Sequence, residues 1–207
     1  MLKRGYHHLV IVVGVVVAMG LGAASAADDA DVRAGKFIES LADKAIAALT
    51  ESNVSREDRL SRFRKLLEDH FAVDTIGRWV LGRYWNDATE AERKEYLSLF
   101  EDLIVVTYVD RFNSYSGERL TVSRTVPATG GDLLVNSQIT RPSGGEPVDV
   151  AWRIRDYGGR YKIVDVIVAG VSMGQTQRSE FSSVIRRNGG HVKGLLTKLR
   201  EDLGKGA

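Results

Sequence analysis

The feature that most limits the fold is a change in the spacing of apolar residues near Gly117. Before this point apolar residues recur every three or four positions, as on one face of a helix, and after it they alternate, as along a strand. Helices followed by strands, with no regular alternation of the two, indicate an α+β protein and argue against repeated βαβ units. The length of 207 residues fits one domain of this class, or two small ones.

Three helices are predicted at the start of the chain. The first covers residues 31–51, where apolar residues recur at helical spacing. The second begins after Ser55, an N-cap residue followed by acidic residues, and extends to Phe71. A short third helix is expected to have Asp74 as its N-cap and to end at Gly82, because glycine commonly terminates helices.

The longest predicted helix starts at a capping box formed by Thr89 and Glu92. We expect it to continue past Tyr108 as far as Tyr115. Its apolar residues cover more of the circumference than the usual third. The helix is therefore predicted to be covered on two sides.

The second half of the chain predicts four strands, at residues 118–126, 132–140, 147–156 and 160–169. The glycine-rich segments between them are too short for crossover connections, so the strands form an antiparallel meander. Both faces of the last strand are apolar, which places it in the centre of the sheet or along a cavity. Two C-terminal helices, at residues 175–187 and 191–203, complete the expected fold.

The N-terminus has the pattern of a secretory signal peptide. Lys3 and Arg4 precede an apolar run from Leu9 to Leu21, and small residues follow as far as Ala26. A retained membrane anchor is the alternative, but about 13 apolar residues fall short of the roughly 20 that span a bilayer. We expect residues 1–26 to be removed and residues 27–207 to form one exported domain.

Composition excludes several classes of site. The chain has no cysteine, which rules out disulfide scaffolds and thiolate metal centres. An exported chain without cysteine suits a bacterial periplasm. The net charge of +2 belongs to the predicted signal peptide, because the mature chain has 27 basic and 27 acidic residues. No interleaved basic and aromatic platform is found, and no nucleic-acid partner is predicted.

The sharpest catalytic motif is Gly170-Val171-Ser172-Met173-Gly174, which matches the nucleophile elbow of serine hydrolases. That elbow belongs to a parallel sheet, whereas the strands predicted here are antiparallel. His191 is the only histidine after Ser172 and would have to form a triad with Glu180 or Asp165. The alternative, in which Ser172 caps the next helix, is favoured, and no enzymatic activity is predicted.

Metal and cofactor sites find little support. His70 lies four residues before Asp74, but one histidine and one carboxylate are too few for zinc, which takes at least three protein ligands. Asp149 and Asp165 could act as bases in a pocket, although we expect Asp149 to face water and Asp165 to pair with an arginine. No Gly-rich phosphate loop is present, so neither a metal nor a cofactor is predicted.

A surplus of apolar residues remains after this search. It comprises the wide stripe of the long helix, the two apolar faces of the last strand, and seven tyrosines and three tryptophans. A well-filled core and a ligand cavity both account for it. Composition does not separate the two.

Several segments resemble one known family from about Phe37 to Leu203. Leu81-Gly82-Arg83-Tyr84-Trp85 and the helix that follows are similar to the sequence before the long helix of MlaC proteins, periplasmic lipid carriers of toluene-tolerance type ABC transport systems. Residues 165–172, 178–181 and 190–199 resemble the last strand and closing helices of that family. The family often has an acidic residue at the position of Ala169, a departure that leaves the assignment intact.

The resemblance implies an NTF2-like cone whose apolar cavity, between helices and sheet, takes the acyl tails of a phospholipid. Two acyl tails contain roughly 30 methylenes in total, and exposing them to water costs on the order of 20 kcal/mol at about 0.8 kcal/mol per methylene. A carrier must therefore enclose them. A hopanoid is an alternative cargo on the same fold. Two further hypotheses are a periplasmic serine hydrolase using Ser172 and a cargo-free adaptor.

The resemblance also implies partners on both membranes. The carrier would shuttle phospholipid between an inner-membrane ABC transporter with an MCE ring and an outer-membrane lipoprotein–porin complex, and so maintain outer-membrane lipid asymmetry. A monomer is the simplest state for such a carrier.

The candidate lipid contacts are apolar residues that are expected to point inward. The family motifs do not fix them, and each could equally belong to an ordinary core. They are Phe37, Leu41, Leu81, Phe100, Ile104, Tyr108, Val150, Trp152, Val166 and Val168.

Overall fold

The computed structural model describes residues 22–51, 53–110 and 115–204 and confirms the α+β class. Helices come first, a sheet follows, and two helices close the chain, as the change of apolar spacing predicts. The helices are α1 Gly22–Leu49, α2 Arg56–His70, α3 Val73–Leu81, α4 Tyr84–Asp87, α5 Glu90–Val109, α6 Met173–Arg187 and α7 Val192–Gly204. The strands are β1 Arg119–Pro127, β2 Leu133–Thr140, β3 Val148–Asp156, β4 Tyr161–Val168 and β5 Val171–Ser172.

The sheet is an antiparallel meander with the order β1-β2-β3-β4-β5. The four predicted strands are confirmed, but the predicted count is wrong because β5 was missed. Val168 pairs with Val171, so Ala169 (φ 48°) and Gly170 (φ 79°) form a two-residue hairpin turn. Alanine rarely adopts a positive φ, and the sequence therefore carries only half of the usual hairpin signal.

Helix boundaries show which local signals are reliable. The caps at Ser55 and Thr89 are confirmed, and Glu92 completes the capping box by accepting from the Thr89 N–H at 2.9 Å. Asp74 is not the N-cap of α3. The Ala72 N–H donates to the Ile163 carbonyl at 2.9 Å, and this contact with β4 fixes the chain so that α3 starts at Val73.

Other helix ends differ from the prediction. α5 ends at Val109 and Tyr115 lies outside it, while the short α4 was not predicted. α1 starts at Gly22, so this helix passes through the predicted cleavage site. Residues 1–21 of the predicted signal peptide lie outside the described residues, and cleavage after Ala26 stays a prediction.

α1 lies against one side of the sheet, called the inner face here. The position of a Cβ on Gly35 would lie 3.4 Å from Val122 Cγ1, at van der Waals distance, so α1 packs directly on β1 here. The Thr125 hydroxyl donates to the Asp31 carbonyl at 3.0 Å, and the Tyr161 hydroxyl donates to the Ala30 carbonyl at 3.3 Å. These bonds hold the start of the helix against β1 and β4.

Buried apolar residues form two clusters. The helical cluster lies among α2–α7 and contains Leu67, Val73, Val80, Leu81, Tyr84, Ala88, Tyr96, Phe100, Val105, Phe181, Ile185, Val192, Leu195, Leu196 and Leu199. The sheet cluster lies between α1 and the inner face and contains Ala34, Ile38, Leu41, Val135, Ile154 and Ile163. Phe71, partly buried, packs against both.

The opposite side of the sheet, the outer face, is polar. Asp149 is exposed there, which confirms that it faces water. Asp132 is buried in the turn between β1 and β2, with 3% of its side chain exposed, and accepts hydrogen bonds from Arg155 at 2.7 and 3.0 Å. Arg153 lies 3.7 Å from the same carboxylate. Two guanidinium groups therefore fasten the β1–β2 turn to β3.

No helix in the described ranges combines the length and the apolar character that a bilayer-spanning helix needs.

Candidate functional site

A strip of apolar residues on the inner face is only partly buried. Three cross-strand pairs contribute to it: Ile139 with Val148, Val150 with Val168, and Trp152 with Val166. Val150 alone is buried among them, and the other five keep part of their surface exposed. We call Ile139, Val148, Trp152, Val166 and Val168 the inner-face strip.

The one polar group of Trp152 is satisfied within the sheet. Its indole Nε1 donates to Ser137 Oγ at 3.0 Å, and the Ser137 hydroxyl donates to the Val150 carbonyl at 2.9 Å. Ser137 is itself buried. The surface that Trp152 leaves exposed is therefore free for apolar contacts, since its N–H needs no further partner.

A second apolar surface is a groove of about 320 Å³ between α5, α6 and α7, called the three-helix groove. This volume lies near the lower end of the range for small-molecule sites, roughly 300–1,000 Å³. Its charged and amide-bearing residues are Gln177, Glu180, Lys198 and Asp202. Its apolar lining consists of Leu103, Ile104, Tyr108, Phe181, Val184, Leu195 and Leu199.

The ten candidate lipid contacts fall into separate places. Val150, Trp152, Val166 and Val168 meet on the inner face, and Ile104 and Tyr108 meet in the three-helix groove. Phe37 and Leu41 are both on α1. Leu41 is buried in the sheet cluster, and Phe37 packs against that cluster with its ring stacked on His70. Leu81 and Phe100 are buried in the helical cluster. Contact of these residues with lipid stays a prediction.

Ser172 acts as a helix cap in this structure. Its hydroxyl donates to Asp165 Oδ2 at 2.7 Å and accepts from the Gln175 N–H at 3.0 Å, which confirms the predicted cap of α6. The Val166 and Gly174 N–H groups donate to Asp165 Oδ1 at 2.9 and 3.1 Å. The predicted pairing of Asp165 with an arginine is therefore wrong, since the Ser172 hydroxyl and two backbone N–H groups satisfy the carboxylate.

Neither His70 nor His191, the two histidines among the described residues, shows a catalytic or metal-binding arrangement. His70 Nδ1 lies 3.0 Å from the Leu66 carbonyl, and no cluster of three metal-binding side chains occurs within residues 22–51, 53–110 and 115–204. His191 is exposed between α6 and α7.

A groove of about 450 Å³ combines arginines with tryptophans. We call it the Arg–Trp groove, and its lining consists of Thr75, Arg78, Trp79, Gly82, Trp85, Asn86 and Arg178. The Arg178 guanidinium carbon lies 5.3 Å from the centroid of Trp79, and that of Arg78 lies 5.7 Å from the centroid of Trp85. Both are cation–π distances.

The Arg–Trp groove brings together basic and aromatic residues that are not interleaved in the sequence. The adjacent Arg78 and Trp79 are the part of this groove that the sequence shows side by side. Arg178 comes from α6, and its side chain donates to the Trp79 carbonyl at 3.3 Å. Because this arginine is distant in sequence, only tertiary packing completes the groove.

Comparison with known proteins gives consistent results. A curated relative from Haemophilus influenzae, named "Intermembrane phospholipid transport system binding protein MlaC", is 22% identical over 62% of this chain and 61% of its own length. Another from Pseudomonas putida, "Toluene tolerance protein ttg2D", is 25% identical over 52% of this chain and 49% of its own length. The matches therefore span about half to three fifths of these relatives.

A solved structure shares the fold. The phospholipid-binding protein from Ralstonia solanacearum, solved in complex with a phospholipid, has a TM-score of 0.72 and 21% sequence identity. The match covers 84% of this chain and 98% of that one. The family described as MlaC protein matches residues 39–201, which is most of the sequence, and the chain therefore belongs to the MlaC family.

Proposed function

We propose that this protein binds a phospholipid in the periplasm and carries it between the two membranes. The observation that carries the proposal is the inner-face strip, where apolar cross-strand pairs stay partly exposed although a helix already covers the neighbouring part of the sheet. Membership of the MlaC family and the names of the relatives support a lipid ligand.

The inner-face strip suits acyl chains because it is apolar and extended along three strands. A bound tail would remove water from Trp152, Val166 and Val168, and each methylene buried would contribute about 0.8 kcal/mol. No bond is made or broken in such transport. This function therefore needs no nucleophile, which agrees with Ser172 being engaged as a helix cap.

The wider transport system also belongs to the proposal. Export by a cleaved signal peptide would place residues 27–207 in the periplasm as a monomer. There the carrier would exchange lipid with an inner-membrane ABC transporter bearing an MCE ring and with an outer-membrane lipoprotein–porin complex. N-terminal sequencing of the exported protein tests the cleavage, which is expected after Ala26.

The proposal is tested by native mass spectrometry of the purified protein, followed by solvent extraction and identification of the lipid. A stoichiometric diacyl phospholipid is the expected result, whereas a hopanoid would keep the carrier and change its cargo. A mass equal to that of the bare chain, repeated after incubation with liposomes, would overturn the proposal.

A matched pair of variants locates the cargo. Val166→Trp fills the inner-face strip and should abolish co-purification of lipid. Thr121→Trp places the same side chain at an exposed position of β1 and should retain lipid. Equal lipid content in both folded variants would exclude the inner-face strip as the binding surface.

A further inference from the structure

The Arg–Trp groove has a chemistry that differs from that of the apolar surfaces. Its lining contains two guanidinium groups, two indoles, a hydroxyl and an amide, and it contains no carboxylate and no purely aliphatic side chain. Such a surface does not suit an acyl tail. It suits an anionic group flanked by a flat apolar surface.

The arginines of the groove are not engaged in ion pairs with acids among the described residues. Within the part of the chain that the structure describes, neither Arg78 nor Arg178 forms an ion pair with a carboxylate. The guanidinium carbon of Arg93, which is not part of the groove lining, lies 5.3 Å from the Trp85 centroid and adds a third positive charge nearby. The nearby Asp165 is engaged by Ser172 and two backbone N–H groups.

Arg178 and Arg93 are held in place while keeping donors free. The Arg178 side chain donates to the Trp79 carbonyl, and its guanidinium lies 3.1 Å from the position that a Cβ on Gly82 would take. Arg93 donates to the carbonyl groups of Trp85 and Asn86 at 2.8 and 3.2 Å. A guanidinium has five N–H donors, so such bonds leave donors for a phosphate, which it binds in a bidentate manner.

The exposed indole favours a membrane surface as the occupant. Trp79 is 42% exposed, which is uncommon for so large an apolar side chain. Tryptophan is enriched at the boundary between headgroups and hydrocarbon, and clustered basic residues bind anionic lipid headgroups.

We propose that the Arg–Trp groove docks the protein onto membranes by binding the phosphate groups of anionic phospholipids at the bilayer surface. Arg78 and Arg178 contact the phosphates, and Trp79 enters the interface between them. The inference extends the proposed function, because it separates the surface that visits the membrane from the inner-face strip that holds cargo.

The test is flotation of the purified protein with phosphatidylcholine vesicles that contain either no or about one third phosphatidylglycerol. Wild-type protein should float only with the anionic vesicles. Arg78→Gln together with Arg178→Gln should weaken this binding about 30-fold, since each basic residue near an anionic surface contributes about fivefold. Arg124→Gln with Arg160→Gln removes the same charge from exposed positions outside the groove and should weaken binding much less.

Tryptophan fluorescence gives a second readout. Anionic vesicles should shift the emission of the wild-type protein to shorter wavelength, and Trp79→Phe should remove most of that shift. Equal flotation with both vesicle types, or equal losses in the two double variants, would overturn the proposal. A response to millimolar inorganic phosphate without vesicle binding would also overturn it, by showing an ion site and no membrane surface.

Cargo is measured in parallel so that the two proposals fail separately. Native mass spectrometry of the Arg78→Gln, Arg178→Gln variant should show the same lipid as wild type. Absence of lipid from wild type would refute the carrier function and leave membrane docking standing. Unchanged vesicle flotation of this variant, with loss of transfer to a purified membrane partner complex, would overturn docking on lipid in favour of an acidic protein partner.

Discussion

The helical cluster and the sheet cluster contain similar residue types but are closed to different degrees. Tyr96, Leu81, Ile185, Leu195 and Leu196 of the helical cluster are almost completely buried, and six helices surround them. In the sheet cluster, Trp152, Tyr161 and Val166 remain partly exposed around six buried residues. The helical cluster is therefore the more closed of the two, although the three-helix groove opens part of its surface, and a larger share of the sheet cluster stays exposed.

Close backbone approach and aromatic packing complete the helical cluster. A Cβ at Gly77 would lie 2.8 Å from Leu97 Cδ2 and 3.1 Å from Phe100 Cδ1, so a larger residue would force these side chains to shift where α3 crosses α5. The Tyr96 hydroxyl donates to the Gly77 carbonyl at 3.0 Å, and burial raises the pKa of Tyr96. The Phe100 ring packs edge-on against Phe181 with centroids 6.2 Å apart.

The largest expected effect is from Phe100→Ala. Removing a buried ring from the closed cluster should lower the free energy of unfolding by about 3–5 kcal/mol, because the cavity cannot collapse. Urea denaturation followed by circular dichroism measures it. A loss below about 1 kcal/mol would break the comparison by showing that the helical cluster is loosely packed.

The next effect concerns the outer face of the sheet. Asp132→Asn should cost about 1–3 kcal/mol, because two arginines lose a buried acceptor charge. Their side chains are 32% and 42% exposed, so solvent screening keeps the loss below that of a fully buried pair. Asp149→Asn is the matched control on an exposed site, with an expected change within about 0.5 kcal/mol in the same urea assay.

A smaller effect concerns the capping box of α5. Thr89→Ala should cost about 1 kcal/mol at neutral pH, whereas Ser98→Ala at an exposed position in mid-helix should cost much less. Hydrogen bonds to the carboxylate, chiefly from the Thr89 amide, lower the pKa of Glu92 below its ordinary value of 4.5.

This lowered pKa determines how the cap depends on pH. The stabilisation by Glu92 is present above pH 4.5 and is lost as the pH falls through the lower pKa of the folded state. The difference in unfolding free energy between wild type and Glu92→Gln should therefore shrink on acidification. A difference that is the same at pH 7 and pH 3 would contradict the assignment.

The smallest effect on stability is expected from Val166→Ala on the inner-face strip. The side chain is already partly exposed, so its truncation should cost about 1 kcal/mol or less in the lipid-free protein. Lipid retention in native mass spectrometry should nevertheless fall. A cost of 3 kcal/mol, as large as that of a closed-core truncation, would show that this strip is ordinary core.

Much of the fold follows from local patterns. Helical spacing and caps at Ser55 and Thr89 predict α2 and the start of α5, because the groups that stabilise these elements are close in sequence. Alternation and glycine turns predict β1–β4 to within about one residue for the same reason. The start of α3 and the presence of β5 depend on contacts with β4 and were missed.

The candidate site was predictable only in part. Val150, Trp152, Val166 and Val168 were placed on the inward side of their strands, and they do share the inner face. Leu81 and Phe100 have the same apolar character but lie in the closed helical cluster. Periodicity predicts the direction in which a side chain points from its own helix or strand. It does not predict which other element packs against that side chain.

The α+β class, the antiparallel meander, the caps at Ser55, Thr89 and Ser172 and the resemblance to the MlaC family can be read from the sequence, since each depends on neighbouring residues or short motifs. Which apolar residues are sealed and which stay partly exposed depends on tertiary packing. It also brought Arg178 of α6 over Trp79 of α3. Burial and electrostatic contact depend on the distance between groups in space, and residues far apart in the chain set that distance only when the whole chain has packed.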